Sequence, residues 1–202
     1  TTPPPMTSSR PVLIVPGLNN SGPDHWQSFW FKRFHGAVWV DQIDWDLPRL
    51  GDWVASLVQA IREHPGAILV GHSLGCALIA HVAQLRGNRG IGGALLVAPA
   101  DVNRSGPAGK LLQGFSPMPQ QRLSFPSIVV ASETDPYVAI DRAEEFSRSW
   151  GSRFVNLGPA GHINVASGHG PWNQGLLLLE ELRQELGAAG PLSAASPQRA
   201  EA

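Results

Sequence analysis

Cysteine is almost absent from this chain. Cys76 stands alone among 202 residues, so no disulfide can form within the chain, which suits a reducing compartment and gives cytoplasm as the expected location. Charge of either sign is sparse and balanced, with 15 Lys and Arg against 16 Asp and Glu for a net charge of −1. No basic face therefore advertises nucleic acid, and no cationic stretch advertises a membrane surface. No apolar run reaches the length of a membrane span, and no signal-peptide core opens the chain. H-E-x-x-H is missing and there is no second cysteine, so the seven histidines form no recognisable zinc motif. Neither an internal repeat nor a composition shift marks a second domain. What is present is a 43% hydrophobic content with seven tryptophans, the material of one packed domain. The expected limits are a lead-in over residues 1–10, a domain over 11–187, and an Ala/Ser/Pro tail over 188–202.

Apolar runs of strand length alternate with stretches of helical periodicity. Strands are expected at 12–15, 38–43, from 68 into the turn at 71–75, 92–98, 127–131 and 153–157, and helices at about 23–35, from 50 to the stop at Pro65, from 74 through 85, after Pro136 up to Trp150, and at about 174–186. Leu50, Trp53, Val54, Leu57, Val58 and Ile61 recur at i, i+3, i+4, i+7, i+8 and i+11, a one-faced helix. Either Asp44 or Asp46 is expected to cap it. Leu74, Ala77, Leu78, His81, Val82 and Leu85 mark the next buried stripe, with His81 a hydrogen-bonded core histidine. Residues 102–124 are the one long irregular stretch. Strands without alternation, each followed by a helix, indicate a doubly wound, mostly parallel six-stranded α/β sheet. Reactive groups in such sheets gather at the carboxyl ends of the strands.

Gly71-His72-Ser73-Leu74-Gly75 fits G-x-S-x-G between a strand and a helix, the context of a nucleophile elbow. A Cβ at Gly71 or Gly75 is expected to collide where strand and helix pass. Asp135 follows the fifth strand and His162 the sixth, giving the order Ser, Asp, His of an α/β-hydrolase triad. The serine hydroxyl needs an imidazole to take its proton, and the imidazole needs a carboxylate to fix its tautomer. Asp101 is the rival acid and His169 the rival base. Gly17-Leu18-Asn19-Asn20-Ser21-Gly22 lacks the Lys and Ser/Thr of a phosphate loop. Its expected use is to aim N–H groups at an oxyanion, from Leu18 or Asn19 together with Leu74.

Pro16-Gly17-Leu18, Asp24-His25-Trp26-Gln27, Asp44-Trp45-Asp46, the elbow itself and Ala131-Ser132-x-x-Asp135-Pro136-Tyr137 form a wider pattern. Trp150-Gly151-Ser152, Gly161-His162-Ile163-Asn164 and Ser167-Gly168-x-Gly170-x-Trp172 complete it. From about Val12 to Leu186 the chain resembles the small, lidless α/β-hydrolases typified by retinoblastoma-binding protein nine, in their bacterial branch. The resemblance implies a serine hydrolase with Ser73, Asp135 and His162 as triad, esterase activity on model esters, and no cofactor. Two departures are Asn173, where the family favours proline, and the missing L-x-C-x-E partner motif. The nearest stretch to that motif, Leu74-Gly75-Cys76-Ala77-Leu78, lacks the glutamate, so no retinoblastoma-type partner is expected.

The sequence therefore reads as a serine esterase or acyl hydrolase for a small ester or thioester, with no metal or cofactor. The alternative is a hydrolase fold kept as a binding module. The strands and helices leave no residues for a helical lid. Candidate substrate-binding residues are Trp26 and Trp172, with Phe115 and Met118 in the 102–124 stretch; Leu111 and Leu112 join the latter pair as an apolar wall. A tether of these last four to the core is the competing reading.

Overall fold

A computed structural model describes residues 10–104 and 107–187. The expected lead-in, apart from Arg10, and the 188–202 tail lie outside the described residues. Six strands, β1 Val12–Val15, β2 Val38–Trp39, β3 Ala67–His72, β4 Ile91–Val97, β5 Ser127–Ala131 and β6 Arg153–Asn156, lie in the order β2-β1-β3-β4-β5-β6. Every neighbouring pair is parallel. Among the described residues six α-helices connect or flank them: α1 Trp26–Arg33, α2 Leu50–Glu63, α3 Leu74–Arg86, α4 Pro107–Leu112, α5 Ile140–Trp150 and α6 Asn173–Glu185.

Because side chains alternate across a strand, the continuous apolar runs feed two cores. Leu13, Val15, Leu69, Leu96 and Val129 meet α2, α3 and α5 on one face. Val12, Ile14, Ile68, Val70, Leu95, Val97, Ile128 and Val130 meet α1 and α6 on the other. Each Leu, Ile or Val removed from water contributes about 1.5–3 kcal/mol, the main term holding the layers together. The strand order reverses direction at β1 and β3, whose carboxyl ends open a crevice between them.

Several expected boundaries shift for local reasons. β2 stops at Trp39, although the Val40 N–H still reaches Ile14 O at 2.9 Å. α1 begins at Trp26, because a turn closed by His25 N–H to Gly22 O precedes it and His25 is the N-cap. Neither Asp44 nor Asp46 caps α2. Asp44 instead closes its own turn, accepting the N–H groups of Asp46 and Leu47 at 2.9 Å each, and α2 starts beyond Pro48 after an uncapped Arg49. Leu85 is exposed and does not belong to the α3 stripe, which otherwise is buried on nearly every side. His81 is half-buried and bonds Phe115 O through Nε2 at 2.7 Å. The 102–124 stretch is not wholly irregular, since it folds into α4 and a 3-10 turn over Gln113–Phe115.

Candidate active site

β3 runs straight into α3 through Ser73, which holds φ 57° and ψ −120°. That conformation is strained for a residue with a side chain and lifts the hydroxyl out of the turn. Gly75 is needed as the sequence indicates, whereas the contact at Gly71 is with the end of a side chain that can give. A Cβ on Gly75 would lie 2.1 Å from Val15 O, and one on Gly71 would lie 2.8 Å from Ile79 Cδ1. Gly17 is a third: its Cβ would stand 2.9 Å from both His72 O and Leu74 N, so the loop after β1 lies against the elbow.

The three expected residues meet. The Ser73 hydroxyl stands 2.9 Å from His162 Nε2 and donates to it when the ring's other nitrogen carries the proton. His162 Nδ1–H donates to both oxygens of Asp135, each at 2.9 Å. The Asp135 side chain is fully buried and also accepts Tyr137 N–H at 2.8 Å. The rivals are occupied elsewhere. Asp101 faces Arg142 at 3.4 Å and accepts Asn103 N–H, while His169 Nδ1 pairs with Ser167 Oγ at 2.9 Å. Cys76 is buried, and burial pushes its thiol well above the ordinary range, so it offers no thiolate.

Backbone bonds that the sequence did not reveal hold the His162 loop. His72 Nε2–H donates to His162 O at 2.9 Å, and the Trp26 indole N–H donates to Ile163 O at 2.8 Å. Ser132 and Thr134, on the Asp135 loop, accept the N–H groups of Ala160 and Gly161 at 2.9 Å each. Gln27 is fully buried and reaches Val15 O and Val70 O, tying the ends of β1 and β3 beneath the crevice. The imidazoles form a chain, with His25 and His72 centroids 4.7 Å apart and His72 and His162 4.8 Å apart. Desolvation, reinforced by His162, pushes His25 down to about 4, and the same causes hold His72 well below the ordinary imidazole value. Both are neutral at pH 7.

A cavity of about 400 Å³ opens over Ser73 and His162. Leu18, Leu74, Ala100, Leu111, Leu112 and Tyr137 form its apolar side, with the Tyr137 ring 4.5 Å from that of His162. None of the four candidate substrate contacts lines it. Trp26 and Trp172 pack against each other and Trp30 in the core, because three large rings satisfy one another there. Phe115 and Met118 are buried, Phe115 against Trp53, so tethering is their role. Leu111 and Leu112 do reach the cavity. Of the expected oxyanion donors, Asn19 is excluded because its N–H is bonded to Trp45 O at 2.9 Å. Leu18 and Leu74 line the cavity, and Leu74 is the first residue of α3, where helical N–H groups have no intrahelical partner.

Among the described residues no group of three or more His, Cys, Asp or Glu could hold a metal ion, and no helix is long and apolar enough to cross a membrane. A protein described as a YdeN-like hydrolase, from Pectobacterium atrosepticum, is 35% identical over 87% of this chain and 91% of its own, with a TM-score of 0.77. The ydeN gene product of B. subtilis is 23% identical over 87% of this chain and 99% of its own, with a TM-score of 0.76. Esterase 2 of Thermogutta terrifontis is 17% identical over 90% of this chain and 85% of its own, with a TM-score of 0.66. The last two establish the α/β-hydrolase fold alone. No curated protein matches the chain. The family model for serine hydrolases matches residues 12–181, most of the described chain, and the protein belongs to that family.

Proposed function

We propose that the protein is a serine esterase for small carboxylic esters or thioesters, working through an acyl-enzyme. The unbroken line from Ser73 Oγ through the His162 ring to the buried Asp135 carboxylate carries this reading. As Oγ attacks the substrate carbonyl carbon, its proton passes to His162 Nε2. Asp135 holds Nδ1–H and stabilises the imidazolium that forms. The carbonyl electrons move to oxygen, and the N–H groups of Leu18 and Leu74 donate hydrogen bonds to the oxyanion. Each such donor is worth about 3–4 kcal/mol in comparable sites. Collapse of the tetrahedral intermediate expels the alcohol or thiol, which takes the proton from Nε2. Water then repeats the sequence with His162 again as base, releasing the acid and restoring Ser73. No step calls for a metal or cofactor.

A fluorophosphonate probe tests the assignment. It should label the wild type, fail on Ser73→Ala, and label His162→Ala only weakly. Asp135→Asn should lower kcat by about 10⁴, by analogy with serine proteases, with little change in fold. Asp101→Asn, which loses only a partly exposed ion pair, should change the rate by less than about tenfold. Labelling of His162→Ala at the wild-type rate would refute the base assignment. An unlabelled wild type would turn the reading towards a binding module.

A further inference from the structure

Part of the cavity wall is made of neutral side chains, and the accepting atoms of two asparagines and one histidine among them are already used. Asn20 Oδ1 accepts Ser21 N–H at 2.8 Å and the Trp39 indole N–H at 3.2 Å. Asn164 Oδ1 accepts Ser167 N–H at 3.2 Å and lies 3.3 Å from the Ser167 hydroxyl. Only an oxygen can receive an N–H, so the amide orientation is fixed and the NH₂ is the uncommitted end of each asparagine. His25 repeats the pattern. Its Nδ1 accepts Gln27 N–H at 3.0 Å, which places the single proton of the neutral ring on Nε2. That Nε2 is buried and has no partner, and the residue is only 5% exposed. Ser21, beside them, donates its hydroxyl to Gln27 Oε1 at 2.6 Å. Asn20, Ser21, His25 and Asn164 all line the cavity, and no Asp, Glu, Lys or Arg among the described residues does.

We propose that this face is a subsite for an uncharged hydrogen-bond acceptor on the substrate, a carbonyl or ether oxygen received by the amides of Asn20 and Asn164. His25 Nε2–H supplies a further, buried donor in the same lining. An apolar group on the same substrate then lies along Leu111 and Leu112. A carboxylate would enter without a counter-charge, and an ammonium group would meet the amide N–H donors with no anion to pair with, so both charged classes are disfavoured. This inference rests on the esterase reading of the same site and names the substrate class within it.

Isosteric ester pairs test it, with each rate divided by that ester's own hydroxide-catalysed rate. On the acyl side the pair is p-nitrophenyl pentanoate and p-nitrophenyl 4-oxopentanoate, with the half-ester of pentanedioic acid as the anionic comparator. On the alcohol side the pair is butyl acetate and 2-methoxyethyl acetate. In at least one pair, kcat/KM should favour the oxygen-bearing ester by about tenfold or more, and the anionic ester should fall below 4-oxopentanoate by a similar factor. Asn20→Asp and Asn164→Asp keep the internal bonds of each side chain but replace its donor with a negative acceptor. One or both should bring the preference close to unity. Ratios near unity in both wild-type pairs, with Ser73 still labelled by the probe, overturn the subsite and leave the esterase reading standing. A preference that survives in both Asp variants also overturns it. If the wild type is neither labelled nor active on any ester, the subsite and the esterase reading fall together.

Discussion

Lowering the pH from 7 to 5 should destabilise this protein through two histidines that the fold keeps neutral. His25 and His72 are both buried, and both are held below the ordinary value of 6.5, His25 at about 4. The unfolded chain binds a proton at each as the pH falls through 6.5, whereas the folded protein does not until its own depressed value is reached. The stability they contribute is therefore present above 6.5, lost progressively below it, and for His25 fully lost near pH 4. For a histidine that stays neutral in the folded state, linkage puts the loss between pH 7 and pH 5 at about 2 kcal/mol. Two such residues give about 4 kcal/mol, a large part of the 5–15 kcal/mol typical of a domain.

Urea unfolding followed by tryptophan fluorescence measures this directly, and His25→Asn and His72→Gln isolate the source. Asn preserves the accepting atom at the N-cap of α1, and Gln preserves an N–H donor towards His162 O. Each variant should reduce the loss between pH 7 and pH 5 by about 2 kcal/mol, and the pair together by about 4. A wild type equally stable at both values, or a double variant with the full wild-type loss, would refute the reasoning.

Two further outcomes follow from the packing. Gly75→Ala sets a Cβ 2.1 Å from Val15 O, so thermal melting should show a large loss of stability together with loss of probe labelling; a wild-type melt would mean that α3 is free to move off β1. Leu112→Ala should shorten the preferred acyl chain in a p-nitrophenyl ester series by about fourfold in kcat/KM per methylene no longer covered. Phe115→Ala should leave that profile in place and cost about 3–5 kcal/mol of stability. The opposite pairing of effects would return Phe115 to the substrate.

The strands and the meeting of Ser73, Asp135 and His162 were legible because each depends on local rules. Continuous apolar runs mark buried parallel strands, and the order Ser73, Asp135, His162 places one residue after each of three strands whose carboxyl ends share an edge. Gly75 was legible because the turn from strand to helix brings its backbone against β1 and leaves no room for a Cβ. The 102–124 stretch was not. Leu111, Leu112, Phe115 and Met118 are equally apolar, and no period sorts them; only the path of α4 and the following turn sends the first two to the cavity and the others into the core. Asp44 misled for a related reason. A carboxylate can close a turn or cap a helix with the same bonds, and Pro48 decides between them by delaying α2.

Trp26 shows what the sequence cannot supply at the site itself. An aromatic residue beside a cavity loop reads as a substrate contact, yet its indole N–H is spent on Ile163 O. Ile163 stands at φ +50°, unfavourable for a β-branched residue and a source of about 1–3 kcal/mol of strain. Two donors hold the backbone there, His72 on the carbonyl of His162 and Trp26 on that of Ile163. They come from the residue before Ser73 and from the first helix, far apart in the chain. Buried carbonyls must find partners, so any residue type able to donate from the right place could serve. The composition therefore carries no sign of the role. These two anchors, with Ser132 and Thr134 on the N–H groups of Ala160 and Gly161, hold His162 between Ser73 and Asp135, and all four side chains belong to residues outside that trio.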